Sequence, residues 1–235
     1  MGLDYNKFLL FGDSITEWSY RNGGFGALLQ NDYARKMDVV CRGFSGFNSN
    51  HAVEILPKLL EMDKYSIMTI FFGTNDALNT FQGVPIDKTK KNLKFLVELS
   101  LKSGIKVILI GPALHSRELY RAANPDDDYV GSEENNRKYC EAAKSVSMET
   151  GVPFIDLCTE FDNSGLPINQ LLVDGIHFTS NGYKILYESI SNTIKSVYPE
   201  YSYENISPSL VLWRELEPAG DNPKKIRSIL YRNEE

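Results

Sequence analysis

Three short blocks of this sequence hold residue types that together could carry out acyl transfer. They are Gly12-Asp13-Ser14, Gly73-Thr74-Asn75-Asp76 and Asp174-Gly175-Ile176-His177. The serine is a candidate nucleophile, the asparagine an uncharged amide donor, and the aspartate–histidine pair an acid–base couple. The blocks lie near the start, the middle and the end of the chain, so only a fold can bring them together. Each sits at or just past the end of an apolar run.

A serine hydroxyl is a weak nucleophile until a base removes its proton. Ser14 follows Phe8-Leu9-Leu10-Phe11 and a glycine, which lets the backbone bend so that the next residues point into a cleft. Taken alone, Asp13 and Ser14 would also suit a helix N-cap. The base is found by elimination among three histidines, His51, His115 and His177. Only His177 has an acid shortly before it. A carboxylate three residues upstream can reach one ring nitrogen and fix the tautomer, leaving the other nitrogen facing the cleft. Asn75 could donate to a developing oxyanion, a contact whose loss typically costs roughly 3–4 kcal/mol of transition-state stabilisation. Asp76 beside it would anchor the loop. In Arg42-Gly43-Phe44-Ser45-Gly46-Phe47-Asn48 either Gly43 or Gly46 could aim a backbone N–H at the same oxyanion, and spacing does not separate them.

The elements that must position these residues are legible as apolar periodicity. Lys7–Phe11, Asp38–Cys41, Ile67–Phe72, Lys106–Ile110 and Pro153–Leu157 read as buried strands, several continuous rather than alternating, as in a sheet covered on both faces. Amphipathic helices are expected over Phe25 to Arg35, His51 to Met62, Asp87 to Ser103, Glu133 to Thr150 and Gly182 to Tyr198. Alternation of strand and helix implies parallel pairing with right-handed crossovers. The expected fold class is α/β, a three-layer α/β/α sandwich on a flavodoxin-like five-stranded parallel sheet. Ligands bind such sheets beyond the carboxyl ends of the strands, and Ser14, Gly46 and Asn75 all follow strands.

At 235 residues the chain can bury a full core. Its net charge of −6 argues against a nucleic-acid partner, which needs a basic face. No apolar stretch approaches the roughly 20 residues of a membrane span, and the N-terminal run is too short for a signal peptide. Cys41, Cys140 and Cys158 are odd in number and widely spaced, unlike a disulfide framework or zinc site. A cytoplasmic location and no metal are therefore expected. Asp126-Asp127-Asp128 with Glu133-Glu134 reads as a solvated acidic loop. Two regions are expected, residues 1–198 as the body and 199–235 as a C-terminal arm. The arm lacks clear periodicity but keeps Tyr201, Tyr203 and Trp213. It would pack on the body or on a partner subunit, with disorder from Asp221 onward, and a homodimer joined through Tyr198–Trp213 is one outcome.

Taken together, the blocks resemble those of the SGNH (GDSL-type) hydrolase family. Ser14 matches the serine of the first block, Gly46 best matches the glycine of the second, Asn75 the asparagine of the third, and Asp174 and His177 the Asp-x-x-His of the last. Lys7–Glu17, Arg42–Gly46, Leu172–Phe178, Tyr198-Pro199-Glu200-Tyr201 and Leu212-Trp213-Arg214 are similar to the isoamyl acetate-hydrolysing esterases of fungi and plants. The resemblance implies hydrolysis of short-chain acetate esters of small alcohols through an acyl-serine. Ser14, Asp174 and His177 would be catalytic, the Ser14 and Gly46 N–H groups with the Asn75 amide would form the oxyanion hole, and no cofactor would be needed. Ile15, Trp18, Leu78, Phe81 and Leu114 would line the substrate pocket. The same blocks could serve a thioesterase or lysophospholipase. From another class, the fold alone could be a flavodoxin-like FMN-binding module with Ser14 and Thr16 cradling phosphate, or a catalytically silent interaction domain.

Overall fold

The structure, a computed structural model, describes residues 5–21, 23–126 and 131–231. Five parallel strands form one sheet in the order β2-β1-β3-β4-β5: β1 Lys7–Gly12, β2 Asp38–Gly43, β3 Ile67–Phe71, β4 Lys106–Ile110 and β5 Phe154–Ile155. The helices are α1 Ser14–Glu17, α2 Phe25–Asp32, α3 Ser49–Met62, α4 Ile86–Lys102, α5 Arg117–Ala123, α6 Glu133–Thr150, α7 Leu157–Asn163, α8 Ile168–Leu171, α9 Ser180–Val197 and α10 Pro223–Leu230.

Successive residues of a strand face opposite sides, and β1 shows why a continuous apolar run is needed here. Phe8 and Leu10 enter a core with Phe25 and Leu29 of α2, Phe161 of α7 and Leu186 and Ile190 of α9. Leu9 and Phe11 enter a second core with Leu56 of α3, Leu93, Leu96 and Val97 of α4, and Val146 of α6. The α/β/α expectation therefore holds, with the sheet buried on both faces. β1 lies between β2 and β3, and its carboxyl end delivers Ser14 to the sheet edge where those two strands also end.

Close approach at that edge requires glycine at two positions. A Cβ on Gly12 would stand 2.1 Å from Thr16 Oγ1 and 2.7 Å from the Phe71 carbonyl oxygen. One on Gly43 would stand 1.9 Å from the Glu17 backbone nitrogen. These paired residues let α1 lie directly against the ends of β1 and β2.

Two expected boundaries are corrected. The last strand is Phe154–Ile155 rather than Pro153–Leu157, because the Asp156 side chain accepts from the Thr159 N–H and starts α7 there. The helix expected to reach Arg35 ends at Asp32, and Arg35 takes a left-handed φ of 64°. Arg35 instead holds the C-terminal arm: its carbonyl accepts from Ser209 N, and its guanidinium donates to the carbonyls of Leu210 and Val211. Tyr33 Oη donates to the Tyr201 carbonyl at 2.7 Å. Disorder was expected from Asp221 onward, yet Pro223–Leu230 is helical, capped by the Asn222 side chain with proline at its first position. Of the acidic stretch, Glu133 and Glu134 open α6 and pair with Arg137 and Lys138, while Asp127 and Asp128 lie outside the described residues. Among the described residues no helix is long and apolar enough to cross a membrane.

Candidate active site

Asp13 starts α1 as its N-cap, its Oδ1 accepting the Ile15 N–H at 3.0 Å. Ser14 is thus the first residue of the helix, where a backbone N–H has no intrahelical acceptor. At the other end of the chain, residues 172–178 close on themselves through a Leu172–Phe178 bridge and a Val173 N–H bond to the His177 carbonyl. Inside this loop Asp174 Oδ1 accepts from the backbone N–H groups of Ile176 and His177, at 3.0 and 2.8 Å. Its Oδ2 lies 2.7 Å from His177 Nδ1. The far ring nitrogen, Nε2, lies 2.8 Å from Ser14 Oγ. Three residues separated by up to 163 positions thus form one continuous relay, within the reach required of a nucleophile and its base.

The carboxylate at the back of this relay is electrostatically settled. Burial would raise the Asp174 pKa, but hydrogen bonds from the His177 ring and backbone, with the Ile176 N–H, pull it down to about 2. It is therefore charged at neutral pH and holds the proton of His177 on Nδ1, which leaves Nε2 basic towards Ser14. Asp13 behaves in the opposite way. It is only 1 % exposed, and burial pushes its pKa up to about 7 against the Ile15 N–H and the nearby His177.

The residues expected to receive an oxyanion, besides Ser14, lie on the other two loops. The segment 44–47 is a turn closed by Phe47 N to the Phe44 carbonyl, with Gly46 at φ +77°, a left-handed position that favours glycine. Glu17 accepts the Ser45 N–H at 2.7 Å and Gln82 donates to the Gly46 carbonyl at 2.7 Å, so the turn is held from both sides. Gly43 is spoken for by packing against α1. Among the described residues the backbone N–H groups of Ser14 and Gly46 donate to no protein acceptor. Asn75 Nδ2 donates one hydrogen to the Phe47 carbonyl at 2.8 Å, which fixes the amide and leaves its second hydrogen available. Asp76 anchors this loop as expected. Its carboxylate accepts from Ser49 N at 3.0 Å and Thr89 Oγ1 at 2.9 Å, and burial raises its pKa.

The other histidines stand apart from the relay. His51 Nδ1 accepts the Asn48 N–H in the cap of α3. His115 is buried after β4, and burial first, then the Arg117 charge, lowers its pKa to about 4.

The expected pocket walls fare unevenly. Trp18 meets the relay, its ring stacked on His177 with centroids 3.9 Å apart and planes 24° from parallel. Ile15 belongs to the core beneath the sheet edge, and Leu78 is buried under the Asn75 loop. Leu114 faces a separate cavity of about 510 Å³ with His115, Arg117, Phe161 and Leu171, to which none of Ser14, Asp174 and His177 contributes. Phe81 is 98 % exposed and is no wall, since the 79–82 turn carries its ring outward. Sequence reasoning missed Arg21, whose guanidinium lies 3.7 Å from the Trp18 ring centroid. The available signal was spacing: Arg21 is three residues past Trp18, one 3-10 turn further on the same face.

Comparison with known proteins agrees with this geometry. Residues 10–185 match the GDSL-like lipase/acylhydrolase family. The isoamyl acetate-hydrolyzing esterase of Saccharomyces cerevisiae is 37% identical across 94% of this chain and 99% of its own length. The human isoamyl acetate-hydrolyzing esterase 1 homolog is 32% identical across 91% of this chain and 89% of its own. Among solved structures, a lipase/acylhydrolase from Enterococcus faecalis superposes with a TM-score of 0.69 at 23% identity, covering 86% of this chain and 98% of that one, and shares the fold. The chain belongs to the GDSL-like lipase/acylhydrolase family, the SGNH hydrolases, and groups there with the isoamyl acetate-hydrolysing esterases.

Proposed function

We propose that this protein is a serine esterase acting on short-chain acetate esters of small alcohols such as isoamyl acetate. The observation that carries the reading is the unbroken relay from Asp174 Oδ2 through both nitrogens of His177 to Ser14 Oγ. Ser14 Oγ attacks the ester carbonyl carbon as His177 Nε2 takes its proton. The carbonyl oxygen becomes an oxyanion, received by the Ser14 and Gly46 N–H groups and the free hydrogen of the Asn75 amide. The imidazolium protonates the leaving alcohol, and the C–O bond breaks to give an acyl-Ser14. A water then loses a proton to His177, attacks the acyl carbon, and releases the acid as Ser14 regains its hydrogen. Charged Asp174 stabilises the imidazolium in both steps. Ser14 supplies the nucleophile and the proton of the first step and water those of the second, with His177 carrying each proton, so the reaction as written uses no cofactor or metal.

The choice of acetate rests on the yeast relative, whose name states that activity. A flavodoxin-like reading fits poorly, because Thr16 is fully buried and Ser14 is engaged by His177. A cytoplasmic location is part of the proposal, as is a homodimer through the arm, where Leu212 and Trp213 are exposed. A solution mass fixed at that of one chain over a wide concentration range would remove the dimer.

The central test is turnover of acetate, butyrate and octanoate esters by wild type and Ser14→Ala, with organophosphate labelling of both. Acetate should be preferred, Ser14→Ala should lose at least about 10⁴-fold in kcat, and the label should map to Ser14. Full turnover by Ser14→Ala would overturn the mechanism. A preference for octanoate or for thioesters would move the protein to a lysophospholipase or thioesterase role.

A further inference from the structure

Trp18 touches the base rather than only a substrate space. Its indole lies nearly parallel to the His177 imidazole at 3.9 Å, and the Arg21 guanidinium lies 3.7 Å from the same indole centroid. Two groups this close to one ring centre cannot share a face, so Trp18 is held between them. We propose that Trp18, clamped by Arg21, is a positioning residue for His177: its face fixes the imidazole plane and stabilises the imidazolium formed during turnover. This rests on the esterase reading of the same site.

The physical case has two parts. His177 must keep Nδ1 on Asp174 and Nε2 on Ser14 at once, and both bonds lie in the ring plane. Twisting the ring about its bond to Cβ breaks both, and a flat surface against the imidazole opposes that twist. Second, the imidazole gains a positive charge in each proton transfer. A cation over an indole face is attracted by the ring quadrupole, by amounts that correspond to roughly a few-fold to 30-fold in rate. Arg21 draws on the same π density from the other side, so it steadies the indole while tempering that attraction. The groups acting on the His177 ring are the Ser14 hydroxyl and the Asp13 carboxyl from the β1–α1 turn, Asp174 from its own loop, and Arg21 through the indole. His115, with Arg117 near it, stands within electrostatic reach of Asp174 on the loop after β4.

The chain has two tryptophans, Trp18 and Trp213, and Trp213 is exposed on the arm. A Trp213→Phe protein therefore has Trp18 as its only indole, and a protonated imidazole stacked on an indole quenches its emission. The test is emission against pH in Trp213→Phe, with and without His177→Gln, together with the kinetics of Trp18→Phe and Trp18→Leu. Emission should rise with pH along the acid limb of kcat/KM, and the inflection should vanish with His177→Gln. Trp18→Leu should lose on the order of 10-fold in kcat with KM within about 2-fold, and Trp18→Phe should recover most of it. Flat emission, an inflection that survives His177→Gln, or an unchanged kcat in Trp18→Leu overturns the proposal. The emission measurement does not depend on a Trp18 variant folding. Failure of Ser14 to take an organophosphate would sink the esterase reading while leaving the stack separately measurable.

Discussion

Two carboxyl groups act on the same imidazole, and their surroundings drive them to opposite protonation states. Asp174 sits in a loop built to present donors: two backbone N–H groups meet Oδ1 and the His177 ring meets Oδ2, and its pKa falls to about 2. Asp13 sits at the start of α1 with one donor, the Ile15 N–H, and its Oδ2 is buried without a partner. Burial lifts its pKa to about 7. Both residues are aspartates within electrostatic range of His177, so residue type does not decide the difference. Burial, complete at Asp13 and only partial at Asp174, and the number of hydrogen-bond donors that offset it decide it together. The consequence for chemistry is that below about pH 7 one full negative charge, not two, faces the imidazole. That charge sits at Nδ1, where it stabilises the imidazolium without competing for the Ser14 proton at Nε2.

The sharpest way to break this contrast is to neutralise the charged member. Asp174→Asn keeps the shape, but its amide would present either an N–H or a neutral oxygen to Nδ1. The proton of His177 then need not stay on Nδ1, and the imidazolium loses its counter-charge. The expected result is a fall in kcat of about 10⁴-fold with little change in KM, measured on an acetate ester at neutral pH. A loss under about 10-fold would mean that Asp174 does not govern the tautomer.

The contrast also explains what could be read from the sequence. Strand cores such as Phe8–Phe11 and Ile67–Phe71 are apolar because both sheet faces are covered, and that pattern needs no tertiary information. Asp174 and His177 are legible because their contact is local, three residues apart in one loop. The placement of Ser14, Gly46 and Asn75 on one edge followed from the rule that ligands meet parallel sheets at strand ends. Spacing did not separate Gly46 from Gly43, and only the family resemblance favoured Gly46; the coordinates add a physical reason, since Gly43 is claimed by its contact with Glu17 and Gly46 takes a left-handed φ. The unusual state of Asp13 was invisible, because an N-cap aspartate is ordinarily solvated, whereas this one is buried by the fold and feels the charge of Asp76, far away in sequence. Phe81 misled for the converse reason: an aromatic after a strand end suggests a wall, but the turn that carries it decides which way it points. The helical end of the arm was hidden by its prolines and charges, although Asn222-Pro223 is itself a helix-start signal.

The smallest expected effect tests the uncharged member, and it is read in stability rather than rate. An unfolded Asp13 would titrate near 3.8, whereas the folded one holds its proton to about 7. Between those values the native state binds more protons than the unfolded state, so stability falls as pH rises. The stabilisation tied to protonated Asp13 is fully present below about pH 4 and is gone once pH passes about 7. Asp13→Asn removes that titration while keeping an oxygen able to accept the Ile15 N–H. Every other carboxylate titrates alike in both proteins, so their common contribution cancels in the difference. Thermal melts at pH 4.5, 6 and 7.5 should show the variant gaining on wild type as pH rises, by on the order of 5 °C in Tm across the range. A difference in Tm that stays constant with pH would show that the folded Asp13 is no longer a buried acid. The imidazole would then face two charges at neutral pH, and the division of labour between Asp13 and Asp174 would fail.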